Sequence, residues 1–578
     1  MRSQGDDRPT DASLAPEPAY AHGALAAGGS GASWRTSFAS SRERASLLWL
    51  IPLAIAAVYV VVFVVRLPHN ITALAWSSDY ASGFTVPETL VRTGPGGNMV
   101  MGSAAEWVPL WFGLLTARLP LHRELWGVMP TLLFLATALV VGSSVAQIAS
   151  RRAALLAVLL GVIASPLALE FFMAPVAHNT VYLCTALLGA YLIWLARGAG
   201  RRRATALLVP PLLGVVVGTC LASDILLAAT AVAPLALTAI LAGARRDRRS
   251  RIVSLSALST IVVAIPIAAL TTSIMRSLGY TKFLTPAKAV ALSELPERAQ
   301  LLFKGLKVLF NGYLGGPKGP GAVQSVLGLA SDVVMSAALL TLLAFGVATA
   351  VRLIASGLRK SAARDPIQLA RSLHIVYWVS SAAAACGAFW VAAETGGGTN
   401  LHESYYGTVV FSVAAVLPLL LSARAPARWL ILAGTSIFFT ASLVGLTSTP
   451  FEVSEWIARD APSVTKIAQA NHVTYGYGGY GEGSSLTWNT HGRVTVRPLM
   501  ECSNPGGASV CPFYLVAVPS WYVPRERHTF LLVDSEEPWV PSLPSGLGKP
   551  LATYAIGSAM RMYIYPYDIA SRLGPAPD

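Results

Sequence analysis

The chain has 578 residues, of which 54% are hydrophobic and only 12% are charged. Soluble domains contain roughly 25% charged residues, so the composition excludes an ordinary soluble protein and indicates a polytopic membrane protein in contact with the lipid bilayer. The formal net charge of +14 would suggest a nucleic-acid ligand for a soluble domain. In a membrane protein it is explained by Lys and Arg in the loops on one side of the bilayer, so we expect no nucleic acid.

Residues 1–44 are rich in Ala, Gly, Ser and Pro and have no apolar periodicity, which predicts a disordered cytoplasmic N-terminus. The first apolar run, about 46–66, is long enough to span a bilayer as an uncleaved anchor. Ten further runs meet the length criterion, some marginally, and lie near 126–149, 153–173, 179–196, 204–221, 225–242, 252–274, 329–351, 372–393, 405–422 and 429–447. The sequence therefore predicts a mainly α-helical fold with about eleven transmembrane helices within residues 45–447.

The distribution of Lys and Arg predicts the orientation of these helices. Basic residues recur in alternate loops, for example within 197–203 and 245–251. The short loops of the opposite side contain no Lys or Arg at all, namely 174–178, 222–224 and 394–404. Since cytoplasmic loops are the basic ones, we expect a multi-pass protein of the cell membrane with a cytoplasmic N-terminus and an extracytoplasmic C-terminus.

Three segments of the predicted outer side are large. Two are loops, at 67–125 and 275–328, and within the first the run Trp107–Leu119 is too short to span and predicts a helix lying in the interface. The third is residues 448–578, which we expect to form a small extracytoplasmic soluble α/β domain.

Within this C-terminal domain the pattern predicts a helix at Val464–Asn471 and strands such as Phe513–Val518, Thr529–Asp534 and Met562–Tyr565. The run YGYGGYGEG at 475–483 is interpreted as an aromatic loop.

Two of the five cysteines, Cys502 and Cys511, lie close together in this polar region. In an oxidising compartment they predict a disulfide, with two free thiols as the alternative.

The sequence contains no Walker A loop, HExxH, GxSxG or CxxC motif, and the lack of a nucleotide-binding loop argues against an ATP-driven pump. The candidates for chemistry are therefore the polar residues of the predicted outer loops. In order these are Asp79, Glu88, Glu106, His178, Asn179, Asp224, His402, Glu403 and Tyr405. Each also has a structural explanation. Asp79 and Asp224, for example, stand where a carboxylate caps a helix.

The joint pattern is more informative than any single residue. Carboxylates, histidines and asparagines recur in the short outer loops, which have no cations, while the loop at 275–328 supplies Lys282, Lys288 and Arg298. Such a set suits transfer from a lipid phosphate, because cations stabilise a phosphate leaving group and a carboxylate accepts the proton of the acceptor hydroxyl.

The stretch Ser78-Asp79-Tyr80 through Arg92, followed by Trp107–Arg123 and by Leu125-Trp126 at the entry to the next span, stands in a large loop after the first span. This order resembles the GT-C superfamily of integral-membrane glycosyltransferases, and the tail with Trp521-Tyr522 looks like that of actinobacterial members. The resemblance implies an inverting transferase that uses a polyprenyl-phosphate sugar, with a cell-envelope glycan, lipid or protein as acceptor.

In such enzymes the aspartate of the first outer loop is the general base, a role that maps onto Asp79. Some members have an acidic pair there, whereas this chain has Ser78 beside Asp79. Glu88 or Glu106 would have to supply a second carboxylate. We therefore expect no obligatory metal cofactor, with a divalent ion as the alternative.

Two other functions remain open at this point. A transporter or flippase of lipid-linked sugars predicts charged residues in the middle of spans and inverted repeats. A non-catalytic membrane anchor with a binding domain would not need polar residues in the short outer loops. The role of four C-terminal aromatic residues is also open. They suit either stacking on sugar rings or packing in the domain's core and against the membrane. They are Trp488, Trp521, Tyr522 and Trp539.

Overall fold

A computed structural model of the chain describes residues 32–74, 78–93, 99–101, 107–173, 178–198, 203–245, 247–282, 288–310, 322–358, 365–393, 407–422, 425–448, 455–502, 510–513, 517–536 and 539–575. The chain divides into two units, Met1–Leu50 and Ile51–Asp578. All contacts discussed below lie within the second unit.

The described part of the chain is mainly helical. In chain order its α-helices are α1 (Ala32–Leu74), α2 (Ser78–Thr93), α3 (Trp107–Thr116), α4 (His122–Ile148), α5 (Arg151–Val162), α6 (Pro166–Met173), α7 (Asn179–Gly198), α8 (Arg203–Ser223), α9 (Ala233–Gly243), α10 (Arg248–Ser277), α11 (Leu295–Phe310), α12 (Ala322–Leu358), α13 (Pro366–Val391), α14 (Thr408–Val416), α15 (Ala425–Ser448), α16 (Glu455–Ala470) and α17 (Gly483–Asn489). Helix α1 begins inside the segment 1–44 that the composition predicts to be disordered.

Seven of the described helices, namely α1, α4, α7, α10, α12, α13 and α15, contain segments long and apolar enough to cross a membrane. Their outward side chains are apolar: Val65, Leu255 and Leu340 are 74%, 68% and 68% exposed. Apolar surface on this scale is stable only against lipid or another protein. The chain is therefore a multi-pass membrane protein.

The predicted number of eleven spans is not confirmed, because the other four predicted runs contain only shorter apolar helical segments among the described residues. The run 153–173 is interrupted where α5 ends at Val162 and α6 begins at Pro166. A residue before proline disfavours the helical conformation, and Ser165 there accepts a hydrogen bond from the Ala168 N–H at 3.2 Å. The other three runs contain the apolar helical segments Leu208–Ser223, which is part of α8, Ala228–Gly243 and Thr408–Leu421.

Two small sheets connect the predicted outer loops. Strand β1 (Met99–Met101), which follows α2, pairs in parallel with β2 (Tyr280–Lys282), which follows α10. Strand β3 (Lys288–Ala289) pairs antiparallel with β4 (Ala392–Ala393) at the end of α13. The loop 275–328 therefore lies beside both the loop that contains α2 and the segment that follows α13.

The C-terminal region folds as an α/β domain around one six-stranded sheet. Its strands are β5 (Tyr475–Gly478), β6 (Thr495–Glu501), β7 (Val510–Pro512), β8 (Thr529–Asp534), β9 (Ala552–Ile556) and β10 (Met560–Tyr565), arranged in the order β7-β6-β5-β8-β10-β9. Strand β5 pairs in parallel with both β6 and β8, and the outer pairs are antiparallel. Helices α16 and α17 contribute Val464 and Leu486 to the core on one face.

The interpretation of residues 475–483 as a loop was wrong, because Tyr475–Gly478 forms the inner strand β5. Its glycines are required by the neighbouring strand: a Cβ atom on Gly476 would stand 2.4 Å from Phe530 Cδ2. The alternate residue, Tyr477, lies on the opposite face of the sheet and is fully buried. The strand predicted at Phe513–Val518 stays untested, because residues 514–516 lie outside the described part; β7 itself ends at Pro512.

The close approach of Phe530 to Gly476 gives a test of this sheet. We expect Gly476→Ala to lower the thermal midpoint of the full chain, because overpacking costs about 1–3 kcal/mol. A second change, Phe530→Leu, should recover much of the loss. Gly198→Ala is the control, because no atom lies within 4 Å of the added Cβ there. An unchanged midpoint for Gly476→Ala, measured in detergent, would contradict the packing.

Candidate functional site

Helix α2 lies between the membrane helices and the C-terminal domain. Its residues Ala81 and Phe84 form a buried cluster with Trp126 of α4 and Trp488 of α17. A Cβ atom on Gly83 would stand 2.0 Å from Trp126 Cζ2, so α2 presents bare backbone to the indole. The apolar face of the helix is thus enclosed from both sides.

Two buried hydrogen bonds fasten α2 to the C-terminal domain. The hydroxyl oxygens of Thr85 and Ser484 lie 2.9 Å apart, so one donates to the other. One turn further along, Trp521 Nε1 donates to Thr89 Oγ1 at 2.9 Å. The Thr89 hydroxyl itself donates to the carbonyl of Thr85 at 2.9 Å. The contact is therefore polar as well as apolar, which fixes the register of α2 on the domain.

Asp79 is the second residue of this helix. It precedes Thr85 by six positions, which is ~9 Å at 1.5 Å per residue. Residues 75–77 and the side chain of Asp79 lie outside the described part. The backbone alone places Asp79 just after the first span, at the start of the helix whose later turns contact the C-terminal domain.

His178 and Asp224, both proposed from the sequence, form a buried pair. His178 Nδ1 contacts Asp224 Oδ2, and the two residues are 5% and 4% exposed. Asp224 Oδ1 also accepts from the Leu226 N–H at 2.9 Å, so the carboxylate serves the following helical segment too. Asn179 is buried next to this pair in the sequence, as the first residue of α7.

The backbone of His178 is unusual, with φ at 61°. The left-handed conformation costs roughly 1–2 kcal/mol for a residue with a side chain. It persists only where the surrounding contacts fix it, and here the contact with Asp224 is one of them.

The start of α3 is bonded to the residues that precede Asp224. The Trp107 backbone N–H donates to Ser223 Oγ at 2.6 Å, and its indole N–H donates to the Ala222 carbonyl at 2.9 Å. The Trp107 ring meets Tyr280 of β2 edge to face, with centroids 6.2 Å apart. Three predicted outer loops therefore meet around Trp107. Glu106, directly before it, lies outside the described residues.

Two of the predicted residues have local partners. Glu88 forms an ion pair with Arg92 one turn along α2, at the outer surface of that helix. Arg298 of α11 donates from Nη2 to the Phe389 carbonyl at 3.0 Å, and its guanidinium lies 4.7 Å from the Phe389 ring centroid. These contacts hold Arg298 against the end of α13.

The remaining predicted cations and the fifth outer loop are described only in part. Lys282 is the last residue of β2 and Lys288 the first of β3, but their side chains lie outside the described set. His402, Glu403 and Tyr405 lie wholly outside it. The β1–β2 pairing nevertheless places the backbone of Lys282 beside Met101, in the loop that follows α2.

Cys502 and Cys511 are joined by a disulfide, with their Cα atoms 5.9 Å apart. The bond connects the residue after β6 to the middle of β7. Cys184 and Cys220 are buried among the helices and are not part of this disulfide.

The aromatic residues of the C-terminal domain divide into two groups. Trp488, Trp521 and Tyr522 are buried, and the first two contact α2. They therefore belong to the interface between the C-terminal domain and the membrane domain, and they are not exposed for stacking on sugar rings. Trp539 is half-buried, and its ring lies 4.6 Å from that of Phe513.

Arg497 of β6 is a residue that the sequence reasoning missed. It is only 9% exposed, and its guanidinium lies 4.0 Å from the ring of Trp521 and 6.0 Å from that of Tyr475. Its Nε and Nη1 atoms are buried without a hydrogen-bond acceptor among the described residues. A desolvated cation–π contact contributes about 2 kcal/mol, whereas each buried unsatisfied donor costs about 1–3 kcal/mol. Stacking alone therefore does not offset the burial of this charge.

A second link joins α4 to the C-terminal domain. Arg123 stacks 4.9 Å from the Trp488 ring centroid and donates to the ring of His491. Burial lowers the pKa of His491, and the charges of Arg123 and Arg493 lower it further. The imidazole is thereby kept neutral, so one ring nitrogen is able to accept from Arg123.

Comparison with protein-family models, with curated proteins and with solved structures gives no match. In the described ranges, no three His, Cys, Asp or Glu side chains are grouped so as to hold a metal ion.

The His178–Asp224 pair predicts a strong energetic coupling. Removal of one partner from a buried pair destabilises by about 3–5 kcal/mol, so His178→Gly and Asp224→Ala should each lower the thermal midpoint. The double variant should lose much less than the sum of the two. The exposed pair Glu88–Arg92 is the matched control, since surface pairs couple weakly. Additive losses at 178 and 224 would show that the two side chains act independently.

Proposed function

We propose that this chain is an inverting glycosyltransferase of the GT-C type, which moves a sugar from a polyprenyl phosphate to a cell-envelope glycan, lipid or protein at the outer face of the cytoplasmic membrane. The observation that carries the proposal is the position of α2. This helix begins with Ser78-Asp79 directly after the first span and is enclosed by α4 and the C-terminal domain. The backbone of Asp79 thus lies at the start of a helix that is held on both sides, which supports a defined place for this residue just after the first span.

The neighbouring loop 275–328 supplies the cations that the proposed reaction needs. The β1–β2 pairing brings the backbone of Lys282 beside the segment that follows α2, and the contact of Trp107 with Tyr280 strengthens that junction. A cation there favours departure of a lipid phosphate, because it stabilises the negative charge that develops on the leaving oxygen. Lys288 and Arg298 belong to the same loop.

The proposed step is a single displacement. The acceptor hydroxyl oxygen forms a bond to the anomeric carbon as the bond from that carbon to the phosphate oxygen breaks. The lipid phosphate leaves with the bonding electrons, and the hydroxyl proton passes to the Asp79 carboxylate, which acts as general base. Attack opposite the leaving group inverts the configuration at the anomeric carbon.

His178 and Asp224 act in this proposal as positioning residues. Asp224 follows Ser223, which accepts the hydrogen bond from the start of α3. The buried pair thus holds the ends of α7 and α8 against the loop that contains α2. A role of this kind needs no contact with the sugar.

The proposed topology has eleven spans. The broken helix α5–α6 and the three apolar helices Leu208–Ser223, Ala228–Gly243 and Thr408–Leu421 complete the seven long ones, while α3 stays at the interface. An odd number of spans places the C-terminal domain on the side opposite to the N-terminus. With basic loops inside, the domain and its disulfide face the oxidising exterior.

The disulfide provides a test of this orientation. In intact cells, a membrane-impermeant maleimide should label the C-terminal domain only after treatment with an impermeant reductant. The double change Cys502→Ser and Cys511→Ser should abolish that label, whereas Cys220→Ser, which alters a buried thiol, should leave it unchanged. Labelling that required cell lysis would place the domain in the cytoplasm.

The catalytic role of Asp79 is tested by Asp79→Asn, with transfer from a panel of labelled polyprenyl-phosphate sugars measured in membranes. We expect a loss of at least about 100-fold, the lower end of general-base catalysis, with an unchanged thermal midpoint. Glu124→Gln, at an exposed position of α4, controls for the loss of one carboxylate. Normal transfer by Asp79→Asn would exclude Asp79 as the base.

A further inference from the structure

Arg497 has a setting that packing alone does not explain. The guanidinium lies on the face of the sheet that covers α2, in contact with Trp521 and Tyr475. No carboxylate of the described residues forms an ion pair with it, and its Nε and Nη1 atoms have no acceptor there. Buried polar atoms are almost always hydrogen-bonded to protein, to ordered water or to a ligand, so Nε and Nη1 leave room for an acceptor that the described residues do not supply.

The residues around Arg497 hold the plane of its guanidinium group in one orientation. Trp521, on which it stacks, is fixed by its indole bond to Thr89 Oγ1 and by the Tyr475 hydroxyl, which donates to the Trp521 carbonyl at 3.0 Å. Both hydrogen bonds have protein partners, and one of these partners, Thr89, belongs to α2. A guanidinium on such a support is pre-organised for a ligand, because little side-chain entropy is lost when it binds.

We propose that Arg497, stacked on Trp521, binds a phosphate group at the junction of the C-terminal domain and α2. A guanidinium presents two edges to an oxyanion, and Nη2 belongs to both of them. With Nε and Nη1 buried and unpaired, a phosphate that reaches Nη2 engages either edge through two parallel hydrogen bonds. This fork–fork geometry is the reason that arginine recognises phosphate so effectively.

The position favours phosphate over a carboxylate from another protein. Trp521, on which Arg497 stacks, is bonded to Thr89 of α2, the helix that follows the first span, and we infer a phosphate of a membrane lipid or in solution as the ligand. Phosphate from a lipid headgroup and free phosphate share the same chemistry. The proposal concerns binding alone, so it stands or falls independently of sugar transfer by Asp79.

The test uses the full chain in a neutral detergent. Inorganic phosphate and decyl phosphate are titrated separately by calorimetry, and thermal midpoints are recorded in parallel. Arg497→Met removes the charge and keeps a long side chain against Trp521, and we expect at least a tenfold loss of affinity. Arg497→Lys keeps the charge without the fork and should bind with intermediate affinity. Arg493→Met, at an exposed position before β6, should bind like the wild type.

The outcomes separate the sources and the alternatives. Tighter binding of decyl phosphate than of inorganic phosphate identifies a lipid-borne ligand, and the reverse order identifies free phosphate. Equal binding by Arg497→Met and the wild type overturns the proposal, as does an equal response to acetate or chloride at the same ionic strength. If Arg497→Met fails to fold, equal phosphate affinities of Arg497→Lys and Arg493→Met overturn the proposal, and weaker phosphate binding by Arg497→Lys supports it.

Discussion

The packing of α2 against the C-terminal domain is the contact on which the rest of the structure depends. The helix has 16 residues and contains Pro87. A helix of this length is marginal in water, and an internal proline removes a backbone hydrogen bond. Local propensity therefore does not maintain α2. Its burial against Trp126, Trp488 and the C-terminal sheet does, together with the Thr89–Trp521 hydrogen bond.

The same contact indicates the structural role of the C-terminal domain. One face of its sheet is covered by the domain's own helices α16 and α17. The other face contributes Tyr477, Leu499 and Leu531 to a core that also contains Val86 and Leu90 of α2. Removal of α2 would expose that apolar face to water. The domain is therefore better described as a scaffold that holds α2 than as an independent binding domain on a membrane anchor.

How much of this the sequence could predict depends on the range of the interactions. Apolar runs and period-two strands are local signals, so the long helices and Thr529–Asp534 were predicted correctly. The strand Tyr475–Gly478 was missed because its glycines indicate a loop locally, whereas the ring of Phe530 on the adjacent strand leaves no room for a Cβ atom at Gly476. The pairing of His178 with Asp224 joins residues 46 positions apart, and no pattern within either loop encodes that contact.

Buried charge is the other feature that local patterns do not show. Arginine in a strand normally points to water, so nothing in the run that contains Arg497 marks it as buried. Well-packed apolar residues are often at least as stabilising as a buried charged group, so stability alone gives no reason for an arginine at this position or for the His178–Asp224 pair. Departures of this kind are expected at functional sites. Arg497 stacks on Trp521, which is bonded to Thr89 of α2. The His178–Asp224 pair lies beside Ser223, which is bonded to Trp107. The polar groups that packing leaves unexplained therefore both adjoin residues 67–125, the predicted loop that contains α2.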